Sequence, residues 1–180
     1  MPINDIKLIK VEKELEEKIM SFRKSFIEAG ENSINGSRGL HHFEHYNEWI
    51  KKVKECERPG NDILGVQATL YMAMRRIDNK IIGCIELRHT LSEDLKVLGG
   101  HVGFSVTPKE RKKGYATEML RQVMEKARSL GIPALMLTCD TENAASKRTI
   151  MKCGGVLEKA EAVQCHGKEG YCEYYWISLS

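Results

Sequence analysis

The chain has 180 residues, of which 42% are hydrophobic and 29% charged, with a formal net charge of +3. That length suits one domain with a substantial core, and the balance is ordinary for a globular protein. The small net charge gives no footing for nucleic-acid binding, and no apolar run approaches the ~18 residues of a membrane span.

Lys7 to Val11 alternates weakly and predicts a first strand. From Glu12 to Ala29, Leu15, Ile19, Phe22, Phe26 and Ile27 recur at helical spacing, and Gly30 ends the run. Glu31 to Leu40 is rich in Asn, Ser and Gly and reads as a mobile loop. A second helix is expected over Phe43 to Cys56, with Tyr46, Trp49, Ile50 and Val53 inward, and Arg58 to Asn61 forms a break. The period then becomes strand-like. Gln67 to Ile77 and Ile81 to Thr90 form a hairpin about Asp78-Asn79-Lys80, and Gly99 to Val106 a further strand after a polar loop. Tyr115 to Leu130 is an amphipathic helix closed by Gly131 and Pro133. Ala134 to Cys139 is a short apolar strand of the kind buried in a sheet centre. Asn143 to Lys152 is a helix, and Val156 to Val163 with Gly170 to Ser178 a closing hairpin around Gly167. The order predicts one α/β (α+β) domain, a mixed, mostly antiparallel sheet flanked by helices. Residues 1–62 form its helical part and 63–180 its core.

Six cysteines, Cys56, Cys84, Cys139, Cys153, Cys165 and Cys172, make no C-x-x-C pair. Cys84, Cys139 and Cys153 stand in apolar stretches, where a thiol packs as a small hydrophobe. The first residues lack the apolar centre of a signal peptide. A reduced, cytoplasmic protein is expected.

The stretch Gly103 to Ala116, GFSVTPKERKKGYA, carries the most chemistry. Pro108 stops the strand, a basic run follows, and Gly114 and Ala116 lead into the amphipathic helix. Unpaired N–H groups and the helix dipole at such a junction make an anion site, and Arg111, Lys112 and Lys113 add full charges. A ligand carrying phosphate is expected. Neither the triphosphate loop G-x-x-x-x-G-K-[ST] nor the dinucleotide pattern G-x-G-x-x-G is present.

Arg111-x-x-Gly114-x-Ala116 between strand and helix resembles the acyl-CoA signature [QR]-x-x-G-x-[GA] of the GNAT superfamily of N-acetyltransferases. The apolar strand and Asn143-x-x-Ser146 that follow are similar to the same family, in its branch of ribosomal-protein acetyltransferases, and the resemblance spans roughly Gln67 to Leu179. It implies acetyl-CoA as cosubstrate, no metal, and transfer to a primary amine. The strand Phe104, Ser105, Val106 would splay from Ala134 to Cys139 and pair with the pantetheine amides. The N–H groups of Arg111, Lys112, Lys113, Gly114, Tyr115 and Ala116, with Thr117 nearby, would hold the pyrophosphate. Asn143 would bond the pantetheine and Ser146 lie near the sulfur. Oxyanion polarisation would come from a main-chain N–H, most naturally that of Val106.

His101 stands where relatives often carry a glutamate and is the first candidate for general base; its alternative is a strand-end histidine facing solvent. Glu86 is the second, and a salt bridge to Arg88 its alternative. Where many members place an acid tyrosine this sequence has Ile150, so Ser146 or a water must serve, or the thiolate leaves unaided. Tyr171, Tyr174 and Tyr175 line the acceptor pocket or simply pack.

His41-His42-Phe43-Glu44-His45 spells H-x-x-E-H, which on a helix would place His41 and His45 for zinc. The surrounding fold is wrong for a peptidase, and these residues are expected to rim the acceptor site, where Glu31, Glu44 and Glu48 would favour a cationic amine. The acceptor, small molecule or protein N-terminus, is left open. A CoA-binding sensor without turnover is the competing reading, and the edge of the final hairpin could pair two copies into a homodimer.

Overall fold

A computed structural model describes residues 4–60, 65–165 and 167–180, with the side chain of Cys165 excepted. Asn61 and the expected 62/63 border lie outside these residues. Strand β1 (Ile6–Lys10) runs antiparallel to β2 (Ala68–Arg75), which pairs with β3 (Ile81–Arg88), which pairs with β4 (Val102–Val106). The N-terminal part therefore completes the sheet of the core. A second sheet has the order β5 (Ala134–Asp140), β7 (Lys168–Ser178), β6 (Val156–Cys165). β5 is thus an edge strand and not a sheet centre; its apolar residues are buried instead by helices on one face.

Alternation in the first sheet sends its side chains into two cores. On one face Ile85, Leu87, Val102 and Val106 meet Met119, Leu120, Val123 and Ala127 of α4 (Tyr115–Ser129), together with Leu135 and Leu137 of β5. On the other, Leu70, Met72 and Cys84 meet Ile19, Phe22 and Phe26 of α1 (Glu16–Glu28) and Trp49 and Val53 of α2 (Tyr46–Cys56). Ile27, expected on the inner stripe of α1, is half exposed, because Phe26 and Phe22 already fill that face in edge-to-face contact.

The stretch 31–40, expected to be mobile, is packed instead. Ile34, Ser37 and Leu40 are buried, Ser37 Oγ donates to the Ile34 carbonyl, and Trp49 Nε1 donates to the Ser37 carbonyl. Helix α2 starts three residues later than its pattern suggests, since His41 and His42 close a 3-10 turn and His45 is extended. The polar loop before β4 contains a short helix, α3 (Glu93–Val97), whose first turn is capped by Ser92 accepting from the Leu95 N–H. The last helix, α5 (Ala144–Lys152), is capped by Asn143, whose Oδ1 accepts from the Ser146 N–H at 3.1 Å. Among the described residues no helix is long and apolar enough to cross a membrane. Cys56, Cys84, Cys139, Cys153 and Cys172 are buried.

Candidate active site

Main-chain groups of the two sheets meet at His101 and Met136. The His101 N–H donates to the Met136 carbonyl at 2.8 Å, and His101 Nδ1 accepts from the Met136 N–H at 2.9 Å. Beyond this junction β4 runs to Val106 and β5 to Asp140 without ladder bonds between them among the described residues. The result is an open V with His101 and Met136 at its vertex.

The free edge of β4 follows from the antiparallel pattern. Thr107 donates to Ile82 and Arg88 donates to the His101 carbonyl, so alternate main-chain groups face β3. The groups of Phe104 and Val106 must then face the V. The Val106 carbonyl is held by Arg111 Nε at 3.0 Å. At the end of β4, Pro108–Glu110 makes a 3-10 turn, and Lys112 and Gly114 adopt left-handed conformations at φ 63° and 87°. This turns the chain so sharply that the N–H groups of residues 112–117 meet no acceptor among the described residues. Gly114, Lys113 and Lys112 are exposed, and the axis of α4 adds its positive end. An anion is the natural partner of such a nest.

Arg111 is committed elsewhere: its guanidinium forms a bidentate pair with Glu31 at 2.6 and 2.8 Å and lies over the Phe26 ring. Its side chain therefore fastens α1 to the loop, and Glu31 is not available as an acidic rim. Glu44 and Glu48 are exposed.

The face of β3 and β4 opposite α4 is polar and covered by residues 34–40. Ser105 Oγ and Cys84 Sγ both donate to the Asn35 carbonyl. Two register pairs further, Glu86 stands opposite Gly103, and beyond it Arg88 lies on the His101 side. Glu86 is 2% exposed and engages two guanidiniums, Arg38 through one oxygen and Arg88 through the other at 3.0 Å. Arg88 also donates to the Gly99 and Gly100 carbonyls. The salt bridge to Arg88 is thus present, and Arg38 is a second partner with no signal in the sequence except its place between Gly36 and Gly39. His101 is buried rather than solvent-facing. Burial, with the Arg88 charge second, pulls its imidazole down to about 4, so the ring is neutral near pH 7.

Asn143 and Ser146 sit on the first turn of α5, close after β5, and Ile150 is wholly buried below them. Tyr174 and Tyr175 are packed, donating to the Val97 carbonyl and to Glu173, while Tyr171 is exposed. The histidines of H-x-x-E-H share no helical face, and no cluster of metal-ligating side chains occurs among the described residues. The structure brings His101, Glu86 and Arg88 together at the vertex. It keeps Val106 about 16 Å away along the strand, five residues at ~3.3 Å each.

The acetyltransferase (GNAT) domain family matches residues 31–156. No curated protein sequence matches the chain. Among solved structures, it is similar to a ribosomal-protein-S5-alanine acetyltransferase from Vibrio fischeri, at 13% identity and a TM-score of 0.73, over 99% of this chain and 96% of that one. The ribosomal L7/L12 alpha-N-protein acetyltransferase RimL, in complex with coenzyme A, gives 15% identity and 0.72 over 99% and 96%. The Microcin C7 self immunity acetyltransferase MccE, in complex with acetyl-CoA and AMP, gives 14% and 0.70 over 97% and 93%.

Proposed function

The chain belongs to the GNAT acetyltransferase family, and from that premise we propose that it carries an acetyl group from acetyl-CoA to a primary amine by direct attack in a ternary complex. The observation that carries this reading is the V pinned at His101 and Met136, whose free strand edge leads straight into the N–H nest of residues 112–117.

The order of the parts sets the direction of the donor. The N–H groups of Lys112, Lys113, Gly114, Tyr115, Ala116 and Thr117 hold the pyrophosphate beside the open end of the V, while Arg111 braces the loop through Glu31 and the Val106 carbonyl. The pantetheine arm then runs inward along β4, pairing with Val106 and taking a bond from Asn143. The thioester lies deeper, where the Phe104 N–H is the nearest donor for the carbonyl oxygen. Placing the oxyanion donor at Phe104 and not at Val106 follows from strand spacing: Val106 is too far from the groups at the vertex. Acceptor amines arrive at that vertex, beside Glu86 and His101.

The amine lone pair attacks the thioester carbon, a C–N bond forms, and the C–S bond breaks. One proton leaves nitrogen and one proton ends on the sulfur of CoA, so the step is balanced. Neutral His101 accepts the Met136 N–H at Nδ1 and so carries its hydrogen on Nε2, where it donates and positions; Glu86 takes the amine's proton, through water. A weak base suffices, because the nitrogen of the tetrahedral adduct is far more acidic than the free ammonium ion. An α-amine of pKa ~7.7–8 is already partly neutral near pH 7, at a cost of about 1 kcal/mol. With Ile150 where a phenol would stand, Ser146 or water serves the thiolate.

Thermal shift with acetyl-CoA followed by thiol release against amine panels tests this. Binding with release supports the transferase; binding without release on any panel, peptides included, would turn it into a CoA-responsive sensor.

A further inference from the structure

Arg38 combines a strained backbone with an unpartnered buried donor. It is not a glycine, yet it holds φ at 55°, between Gly36 at 70° and Gly39 at 73°. A left-handed conformation is strained for such a residue. Its side chain is only 5% exposed, and its Nη2 is buried with no hydrogen-bond partner among the described residues. The carboxylate it pairs with, Glu86, is already shared with Arg88. Two guanidiniums on one carboxylate leave a surplus positive charge in a desolvated place. Strain, an orphaned donor and surplus charge on one side chain are costs that a bound ligand would offset.

The position says which ligand. Two residues upstream, Gly36 lies against the main chain of Gly103, the strand position opposite Glu86. Arg38 therefore stands at the acceptor end of β4 and not at the CoA end. We infer that Arg38 recognises a carboxylate on the acceptor, so that the amine acetylated here belongs to an amino acid or a similar small amino acid-like compound. The inference rests on the transferase reading above and narrows its acceptor class. Nε keeps Glu86 while the unpartnered Nη2 takes one carboxylate oxygen, the geometry for which a guanidinium is suited. The same surplus charge helps the chemistry, since a nearby positive charge disfavours the protonated amine. It also corrects the expectation of an acidic rim that selects cationic amines.

The test compares the twenty amino acids, their amides and their decarboxylated amines as acceptors, by thiol release from acetyl-CoA. Wild-type protein is expected to prefer the carboxylate form over its amide by at least about tenfold in kcat/KM, the scale of one charge-assisted hydrogen bond. In Arg38→Gly, Glu86 keeps Arg88 and the backbone strain is relieved, so the chain is expected to melt no lower. The preference should fall to near one. Arg38→Lys, which keeps the charge but not the fork, is the second variant and should reduce the preference without abolishing it. Equal or better turnover of amides or decarboxylated amines by wild type, or a preference that survives Arg38→Gly, overturns the inference. So does acetyl-CoA binding with no carboxylate-bearing amine acetylated, which leaves the transferase open to other acceptors. Failure to bind acetyl-CoA at all brings down both readings.

Discussion

Gly36 rests directly on Gly103. A Cβ built on Gly36 would run into the Gly103 carbonyl and stand 2.8 Å from the Phe104 nitrogen, and the residue holds φ at 70°. Neither glycine has a side chain to keep the two backbones apart, so residues 34–40 sit flush on the strand that faces the V. This contact, with Asn35 receiving Ser105 Oγ and Cys84 Sγ, sets the height of Arg38 above Glu86.

Gly36→Ala is therefore expected to cost about 2–5 kcal/mol, roughly 1–2 for the left-handed conformation and 1–3 for forced displacement of the backbone. Urea unfolding measures the loss. Acetyl-CoA affinity should change much less than acceptor KM, because the pyrophosphate nest lies at the other end of β4. Equal damage to both would show that the loop and the strand move as one piece.

The buried imidazole at the vertex makes stability depend on pH with a definite sign. His101 binds its proton at about 4 in the folded chain and at ~6.5 in the unfolded one. Between these values the unfolded state binds more protons, so stability falls as pH is lowered from 6.5 to 4 and is fully present above that window. The loss amounts to at most about 3 kcal/mol. His41 and His89 are also lowered, chiefly by burial, and add to the slope. His101→Asn keeps an acceptor for the Met136 N–H without a titrating ring. Urea midpoints at pH 7 and 5 should lie closer together in this variant than in wild type; an unchanged gap would place the proton uptake elsewhere.

Gly114 caps α4 at φ 87° and shapes the nest that receives the pyrophosphate. Alanine at that angle costs roughly 1–2 kcal/mol and turns the N–H groups out of register. At a hundredfold excess over Kd, acetyl-CoA should stabilise wild type by about 2.7 kcal/mol. With affinity reduced tenfold, Gly114→Ala would gain about 1.4 kcal/mol at the same concentration. Titration calorimetry gives the affinities directly, and equal Kd values would remove the nest from the site.

The donor side of this site is local in sequence, and for that reason legible. Pro108, Gly114 and Ala116 are each needed by a backbone turn within nine residues, and Asn143 announces its cap three residues ahead of Ser146. The acceptor side is assembled across the chain. Arg38 reaches Glu86 over 48 residues, and nothing in the Gly/Ser-rich stretch around it signals burial; composition alone made it a mobile loop. A separation of 80 residues likewise hid the pairing of Arg111 with Glu31, which spends the charge that pattern reading assigned to a phosphate. The short helix after Ser92 was missed because its one buried side chain, Leu95, gives no period. The edge position of β5 was equally out of reach, since an apolar run looks the same whether covered by strands or helices.

Asn143 offers a way to separate fold from function within one side chain. Its Oδ1 is spent on the Ser146 N–H, which leaves the amide NH2 as the group proposed to bond the pantetheine. Asn143→Ala loses both roles and should cost about 1 kcal/mol of stability through the lost cap. Asn143→Asp keeps an acceptor at the cap, with a charge that the helix N-terminus favours, and should fold as well as wild type. It has no NH2 to give, and its acetyl-CoA KM is expected to rise roughly tenfold, the worth of one hydrogen bond in a desolvated site. Steady-state kinetics on the aspartate variant decides the matter. A KM at the wild-type value would make Asn143 a cap alone and shift the grip on the pantetheine to the open edge of β4.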